Sequence, residues 1–455
     1  MNLYYSFLKL KARILQGRKV SSYEIAQEIS LRRRPSLKAT RMIGITGSGA
    51  KTTTSAFLYH LLSGSAPTAL SFLENTLDRI AMRLARFPRR ARFGVFEISG
   101  HAPGVMRAAC AVVQPDVAIV TLVASDHRSN FVDAQEIARE KGILVEEAAA
   151  RGGFALLNAD DPLVCAMRER AAGRALTYGE APDADYRAVD VSHSPEGRLL
   201  FTCAHGAERV RFDIGLLGRH FLVSALSGIA SAHQLGVPLA QLAERARSYT
   251  QLPGRCSLHP TPNGPTFICD SIKAPFSTLG LSFALLQHFP EAPRRTLVLG
   301  QIADYAGAQG KRYRQAYRAA RQYADRVIIL GHDNLNINAL PDDIPGESLQ
   351  QVAGIVQLRK LIADTRLPGE VILLKGSSRI DRMERILLDY ERQVDCWMDG
   401  CAKIVNCFEC KSLSKAGNPR QRPRGLIEDP DYFAGPTQGA ALHIDTVQAT
   451  ARGDA

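Results

Sequence analysis

Short apolar runs alternate with stretches of helical period along the first half of the chain. MIGIT at 42–46 reads as a strand, and TSAFLYHLLSG at 54–64 reads as the helix that follows it. FGVFEIS (93–99), VAIVTLVA (117–124) and GFALLNA (153–159) read as three more strands. Strands alternating with helices predict an α/β fold, with a parallel sheet covered by helices on its faces. FLVSALSGIASAHQLG (221–236) predicts an amphipathic helix stopped by glycine, and QLPGR (251–255) predicts a turn at a boundary. A second series then begins with TFICDS (266–271), RTLVLG (295–300), DRVIILG (325–331) and EVILLKG (370–376). It predicts a smaller, Rossmann-like α/β domain.

The expected organisation is a short helical extension over 1–40, a central domain over 41–257, and a C-terminal α/β domain over 258–392. A cysteine cluster follows at 393–412, then a tail at 413–455 rich in Gly, Pro, Arg and Asp with little periodicity, expected to be disordered. In the extension, Leu3, Phe7, Leu10 and Ile14 lie near helical spacing, and the intervening basic residues interrupt any signal-peptide core.

Composition narrows the class. With 455 residues, 45% hydrophobic and 22% charged, the chain reads as a soluble protein of two or three domains. The formal charge of +12 sits in short clusters such as Arg32–Arg34, Arg89–Arg90 and Arg294–Arg295. No basic stripe or aromatic platform accompanies them, so nucleic acid is not the expected partner, and anionic small substrates or a membrane surface account for the charge about as well. No run of 18 apolar residues occurs, so no spanning helix is expected. Five single cysteines in apolar contexts (Cys110, Cys165, Cys203, Cys256 and Cys269) point to a reduced, cytoplasmic protein.

The candidate chemistry begins at GITGSGAKTTT (44–54), between a predicted strand and a predicted helix. Gly47, Ser48, Gly49 and Ala50 form a turn whose backbone N–H groups can face an anion. The helix beginning near Lys51 adds its positive end. Lys51 can reach outer phosphates, and Thr52, followed by Thr53, can ligate Mg²⁺. Ala50 stands where a standard phosphate loop carries its last glycine. Glu97 ends the second strand, and Asp126 and His127 follow the third. In a parallel sheet these strand ends gather at one edge, where they would complete a metal–phosphate site.

The ordered motifs resemble those of the Mur ligase family, which includes the muramyl-peptide synthetases, folylpolyglutamate synthetase and cyanophycin synthetase. TGSGAKTTT is similar to that family's TGTNGKTTT, FEISGH (96–101) to its E-x-S-x-H, and SDH (125–127) to its D-H. LLNADDP (156–162), GLLGRHFLVSALSGIASA (215–232), LPGR (252–255), CDSIKAP (269–275) and LLKGSSRIDRME (373–384) continue the resemblance in order. It implies an ADP-forming acid–amino-acid ligase. ATP would phosphorylate a carboxylate, and an amine would displace the phosphate to form an amide.

By the same resemblance, Lys51 and the loop backbone hold ATP, and Thr52 and Glu97 bind one Mg²⁺. His127 and a carbamylated Lys141 bind a second. Arg255 contacts a phosphate and Asp270 the ribose. Several positions depart from the pattern. Ala50 replaces a glycine, Phe221 and Ser224 replace two asparagines of the adenine-contacting helix, and Lys273 and Ser271 replace a histidine and a tyrosine of the hinge. Only about 40 residues precede the loop, less than a UDP-sugar domain occupies in the muramyl ligases. The rival readings are a divergent nucleotide-binding member with little ligase activity and a signalling or motor NTPase. The carboxylate, the amine and the oligomeric state stay open.

CWMDGCAKIVNCFEC (396–410) brings Cys396, Cys401, Cys407 and Cys410 within 15 residues. Four thiolates can hold Zn²⁺ tetrahedrally, but only the last pair has knuckle spacing. Zinc, an iron–sulfur cluster and a metal-free reduced segment all remain open.

Overall fold

The computed structural model describes residues 22–414 apart from 74, 125–129, 263, 333 and 404. The expected helix at Leu3–Ile14 and nearly all of the expected tail lie outside the described residues. The chain opens on α1 (Ser22–Arg33), β1 (Arg41–Thr46) and α2 (Lys51–Ser63). It continues through β2 (Thr68–Ser71), α3 (Leu77–Ala85), β3 (Phe93–Glu97), α4 (Val105–Val113), β4 (Val117–Val120) and α5 (Ala134–Ala150). Next come β5 (Phe154–Asn158), α6 (Pro162–Cys165), β6 (Ala175–Gly179), β7 (Tyr186–His193), β8 (Leu199–His205), β9 (Glu208–Ile214), α7 (Leu222–Gln234) and α8 (Leu239–Ala246).

These strands form one sheet in the order β2-β3-β1-β4-β5-β6-β7-β8-β9. Pairing is parallel from β2 to β7 and antiparallel from β7 to β9. The strand expected at 117–124 ends at Val120. Residues beyond it leave the ladder to brace the loop at 47–50, as described below.

The second half adds β10 (Ser257–Pro260), β11 (Thr266–Asp270), α9 (Leu279–Phe283), β12 (Arg295–Leu299), α10 (Gln309–Ala320) and β13 (Arg326–Leu330). It ends with β14 (Leu349–Val352), α11 (Ile355–Thr365), β15 (Val371–Lys375) and α12 (Glu384–Glu391). The second sheet runs β10-β11-β15-β12-β13-β14, parallel except for the β10–β11 pair.

Burial explains why the central strands are nearly pure apolar runs. β3, β4, β13 and β15 are buried along their whole length, because helices cover both faces. One core joins Phe57, Leu58 and Leu61 of α2 to Leu226 and Ile229 of α7, and continues through Ile268, Leu297 and Leu373 of the second sheet. Gly228 lets α2 and α7 approach, since a Cβ there would stand 2.7 Å from Phe57 Cδ1. A second cluster, with Ile80, Met106 and Leu144, covers the other face of the first sheet. A third, with Leu358, Ile386 and Cys407, covers the far face of the second. No helix among the described residues is long and apolar enough to cross a membrane.

Candidate active site

β1 ends at Thr46 and α2 begins at Lys51, so residues 47–50 turn the chain at the carboxyl edge of the first sheet. Gly47 has φ 149°, and a Cβ there would stand 1.9 Å from Thr121 Oγ1, so a larger residue has no room. Ala50 occupies the left-handed region at φ 65°, ψ −14°, and its side chain makes no cap for α2. Alanine thus keeps the turn a glycine adopts freely, at a strain of about 1–2 kcal/mol.

The loop is braced from the end of β4. Ser48 N donates to Leu122 O at 2.8 Å, Ala124 N donates to Ser48 Oγ at 2.9 Å, and Thr121 Oγ1 donates to Gly49 O at 2.7 Å. Residues of LLNADDP hold that brace in turn. Asn158 Nδ2 donates to Thr121 O at 2.9 Å, and Asp161 Oδ2 accepts from Val123 N at 2.7 Å. Sequence reasoning missed Thr121, Asn158 and Asp161 as shapers of the loop. The polar cluster closing a strand-like run was the available signal.

Lys51 curls over the loop mouth, its Nζ donating to Gly47 O at 2.5 Å. Thr52 and Thr53 are buried in the first turn of α2. On the far side Ser224 Oγ donates to Ala50 O at 3.4 Å, and Phe221 packs into the core. The two positions that carry asparagines in the family pattern therefore supply packing and one hydroxyl.

Glu97 ends β3 directly beside Ile45 of β1 and is buried. Ser55 Oγ lies 3.2 Å from Glu97 Oε1, which draws the carboxylate toward the first turns of α2. A threonine hydroxyl and a carboxylate at the loop are hard oxygen donors of the kind Mg²⁺ takes. Among the described residues no three His, Cys, Asp or Glu side chains group as ligands. A hydroxyl and a carboxylate of this kind fit Mg²⁺ when phosphate and water oxygens complete its shell. Lys141 of α5 is 1% exposed, and its stem packs beside Gly100 just after β3. Its neighbour Glu140 pins the next turn, accepting from Gly104 N at 3.0 Å and Met106 N at 2.7 Å. Asp126 and His127 lie outside the described residues.

The second sheet offers a different edge. Arg255 is half-buried in a tight turn between Gly254 (φ 77°) and Cys256 (φ 57°). Asp270 ends β11 opposite Lys375 of β15, and Lys375 Nζ donates to Asp270 Oδ2 at 2.5 Å. Ser282 Oγ donates to the same oxygen at 2.6 Å. Burial pushes the Asp270 carboxyl up, but Lys375 and Ser282 together hold it below its ordinary range. Lys273 pairs with Asp304 at 2.6 Å. His220 lies beside the Asp270–Lys375 pair, and burial pushes its imidazole down to about 4. Asp381 caps the KGSS turn, accepting from Ser377 N at 2.6 Å and Gln301 N at 2.9 Å, and burial raises it to about 6. Glu384 is wholly buried, and burial pushes it up to about 7.

A profile of the Mur ligase middle domain matches residues 45–232. A UDP-N-acetylmuramyl-tripeptide synthetase of Deinococcus radiodurans is 29% identical over 379 residues, covering 76% of this chain and 74% of its own. Residues 45–232 therefore carry a Mur ligase middle domain. A UDP-N-acetylmuramoyl-tripeptide–D-alanyl-D-alanine ligase of Mycobacterium tuberculosis is 27% identical, covering 74% of this chain and 70% of its own. In fold, the chain superposes on MurF of Thermotoga maritima in complex with ADP at a TM-score of 0.68 and 21% identity, over 82% of this chain and 84% of that one. Mur ligases are ATP-dependent and form amide bonds, so the family assignment favours a working ligase over a nucleotide-binding relic.

Proposed function

We propose that the loop edge of the first sheet activates a small-molecule carboxylate with ATP and that the protein then joins it to an amino acid or amine. A carboxylate oxygen attacks the γ-phosphorus and ADP leaves. The amine nitrogen then attacks the acyl carbon, phosphate departs, and the nitrogen loses a proton. The single observation that carries this reading is the loop itself. Gly47, left-handed Ala50 and Lys51 stand between β1 and α2, with Glu97 on the adjacent strand.

Phosphoryl transfer needs positioning and charge neutralisation more than covalent help. The backbone of 47–53 and Lys51 supply the first and part of the second. Thr52 and Glu97 would hold Mg²⁺, which neutralises charge on the phosphate oxygens when bound. His127 and a carbamylated Lys141 are proposed for a second Mg²⁺. Carbamylation would turn a buried cation into an oxygen ligand that a hard ion prefers. Arg255 is assigned to a phosphate. Both Asp270 contacts given above fall on Oδ2, so Oδ1 is the oxygen assigned to a ribose hydroxyl.

The test is ADP release by purified protein with Mg²⁺ across a panel of carboxylates and amino acids, with Lys51→Ala beside it. Stimulation by one carboxylate–amine pair, absent in the variant, is the expected result. Turnover that ignores both substrates would argue for a plain ATPase.

A further inference from the structure

Beyond α12 the chain folds back along the second sheet, and Cys396, Cys401, Cys407 and Cys410 all reach the wall of one cavity of about 20 Å³. That is room for about one water-sized species. Arg382 and Arg385 line the same cavity and are each 1% exposed.

The two guanidinium groups donate to backbone carbonyls of the cysteine segment. Arg382 reaches Val405 O at 2.6 Å and Cys401 O at 3.2 Å; Arg385 reaches Cys396 O at 3.0 Å and Met398 O at 2.9 Å. Carbonyl dipoles orient these cations but do not neutralise them, and the buried Glu384 carboxyl that acts on both can offset no more than one of the two charges. Arg382 Nε is buried with no acceptor among the described residues. Lys403 Nζ stands 3.7 Å from Cys410 Sγ. The donors thus collect on the side of the sulfurs, which calls for negative charge there.

We propose that Cys396, Cys401, Cys407 and Cys410 bind one Zn²⁺. Four thiols give up their protons on binding, and the resulting tetrathiolate centre is doubly negative, adding the negative charge that Glu384 alone does not supply to Arg382 and Arg385. No three of the sulfurs are grouped for a single ion as they stand. Binding therefore requires the four side chains to turn inward to the cavity they line, to Zn–S bonds of about 2.3 Å. The carbonyls that grip Arg382 and Arg385 belong to the same segment. The metal therefore fastens that strap to the turn carrying Asp381, which caps KGSS. The role is structural and does not depend on the ligase reading.

The test is elemental analysis of the full chain purified from zinc-supplemented medium, alongside Cys407→Ser, Cys410→Ser and the control Cys165→Ser. About one zinc per chain is expected in the wild type and the control, falling roughly tenfold or more in the two cluster variants. Because those variants can misfold, the wild type is also titrated with a mercurial, which should release the zinc as about four thiols react. Co²⁺ exchanged into it should show thiolate charge-transfer and tetrahedral d–d absorption. Wild type that holds no zinc after reconstitution, holds iron instead, contains disulfides among these cysteines, or keeps full zinc in the variants overturns the proposal.

Discussion

At the carboxyl edge of the first sheet, the chain turns through Gly47 and Ala50 and sets the start of α2 and Lys51 at the loop mouth. At the same edge of the second sheet, Asp270 and Lys375 sit opposite each other on adjacent parallel strands and close into an ion pair. Both edges present charge; on the proposed reading the first holds it for a phosphate, while the second closes it on itself. A phosphate cradle needs donors oriented before the ligand arrives, and the brace from Thr121 to Ala124 supplies that order. The second edge is held by its own opposite charges, so it can position a substrate without collapsing.

The largest expected effect breaks the second edge. Lys375→Met leaves Asp270 buried without its cation and should cost about 3–5 kcal/mol in urea denaturation. Adding Asp270→Asn to the same chain should recover more than half of that. If the double variant is as unstable as the single, the pair is not what holds the edge. The pair also sets a pH response. Asp270 is held low in the fold, so its contribution is present above the ordinary carboxylate value of 3.8 and is lost as pH falls through the lower folded value.

Lys51→Ala breaks the first edge. Carboxylate-dependent ADP release should drop by about 10²–10³-fold, with little change in urea midpoint, because the ammonium is only partly buried. A large loss of stability with activity retained would assign Lys51 to the fold.

Glu384 gives the next effect and the opposite pH sign to Asp270. Its carboxyl is raised from 4.5 to about 7 by burial, so the folded state holds the proton more tightly than the unfolded chain does. Stability should therefore decline as pH rises from about 4.5 to about 7, by about 2–3 kcal/mol. Glu384→Gln should flatten that slope and raise stability at pH 8, as followed by thermal melts across pH. A slope that survives the substitution would place its origin elsewhere.

The smallest effect sharpens the first edge. Ala50→Gly removes the left-handed strain but adds freedom to the unfolded chain, for a net gain of about 0.5–1 kcal/mol. Destabilisation on this change would mean that the turn does not hold Ala50 at positive φ.

The turn at 47–50 between β1 and α2 was readable because its glycines, Lys51 and Thr52 are contiguous and flanked by clear strand and helix patterns. The α/β alternation was readable for the same reason: buried parallel strands are unbroken apolar runs. The wing from β6 to β9 was not foreseen. Its outer strands face solvent on one side, and charges at Glu208, Arg209, Arg211 and Asp213 dilute the apolar signal. The Asp270–Lys375 pair joins residues 105 positions apart, which no local pattern reveals. The grip of Arg382 and Arg385 on the cysteine segment is likewise tertiary. In the sequence those arginines look like surface charge.

The central claim is that the loop edge transfers phosphate to a carboxylate. It is tested most directly with a carboxylate labelled with ¹⁸O in both oxygens, supplied with ATP and the amine that supports turnover. The account predicts one ¹⁸O in each phosphate released, none in ADP, and one ¹⁸O left in the amide product. Phosphate free of label alongside a formed amide, or label found in a released AMP, would contradict it.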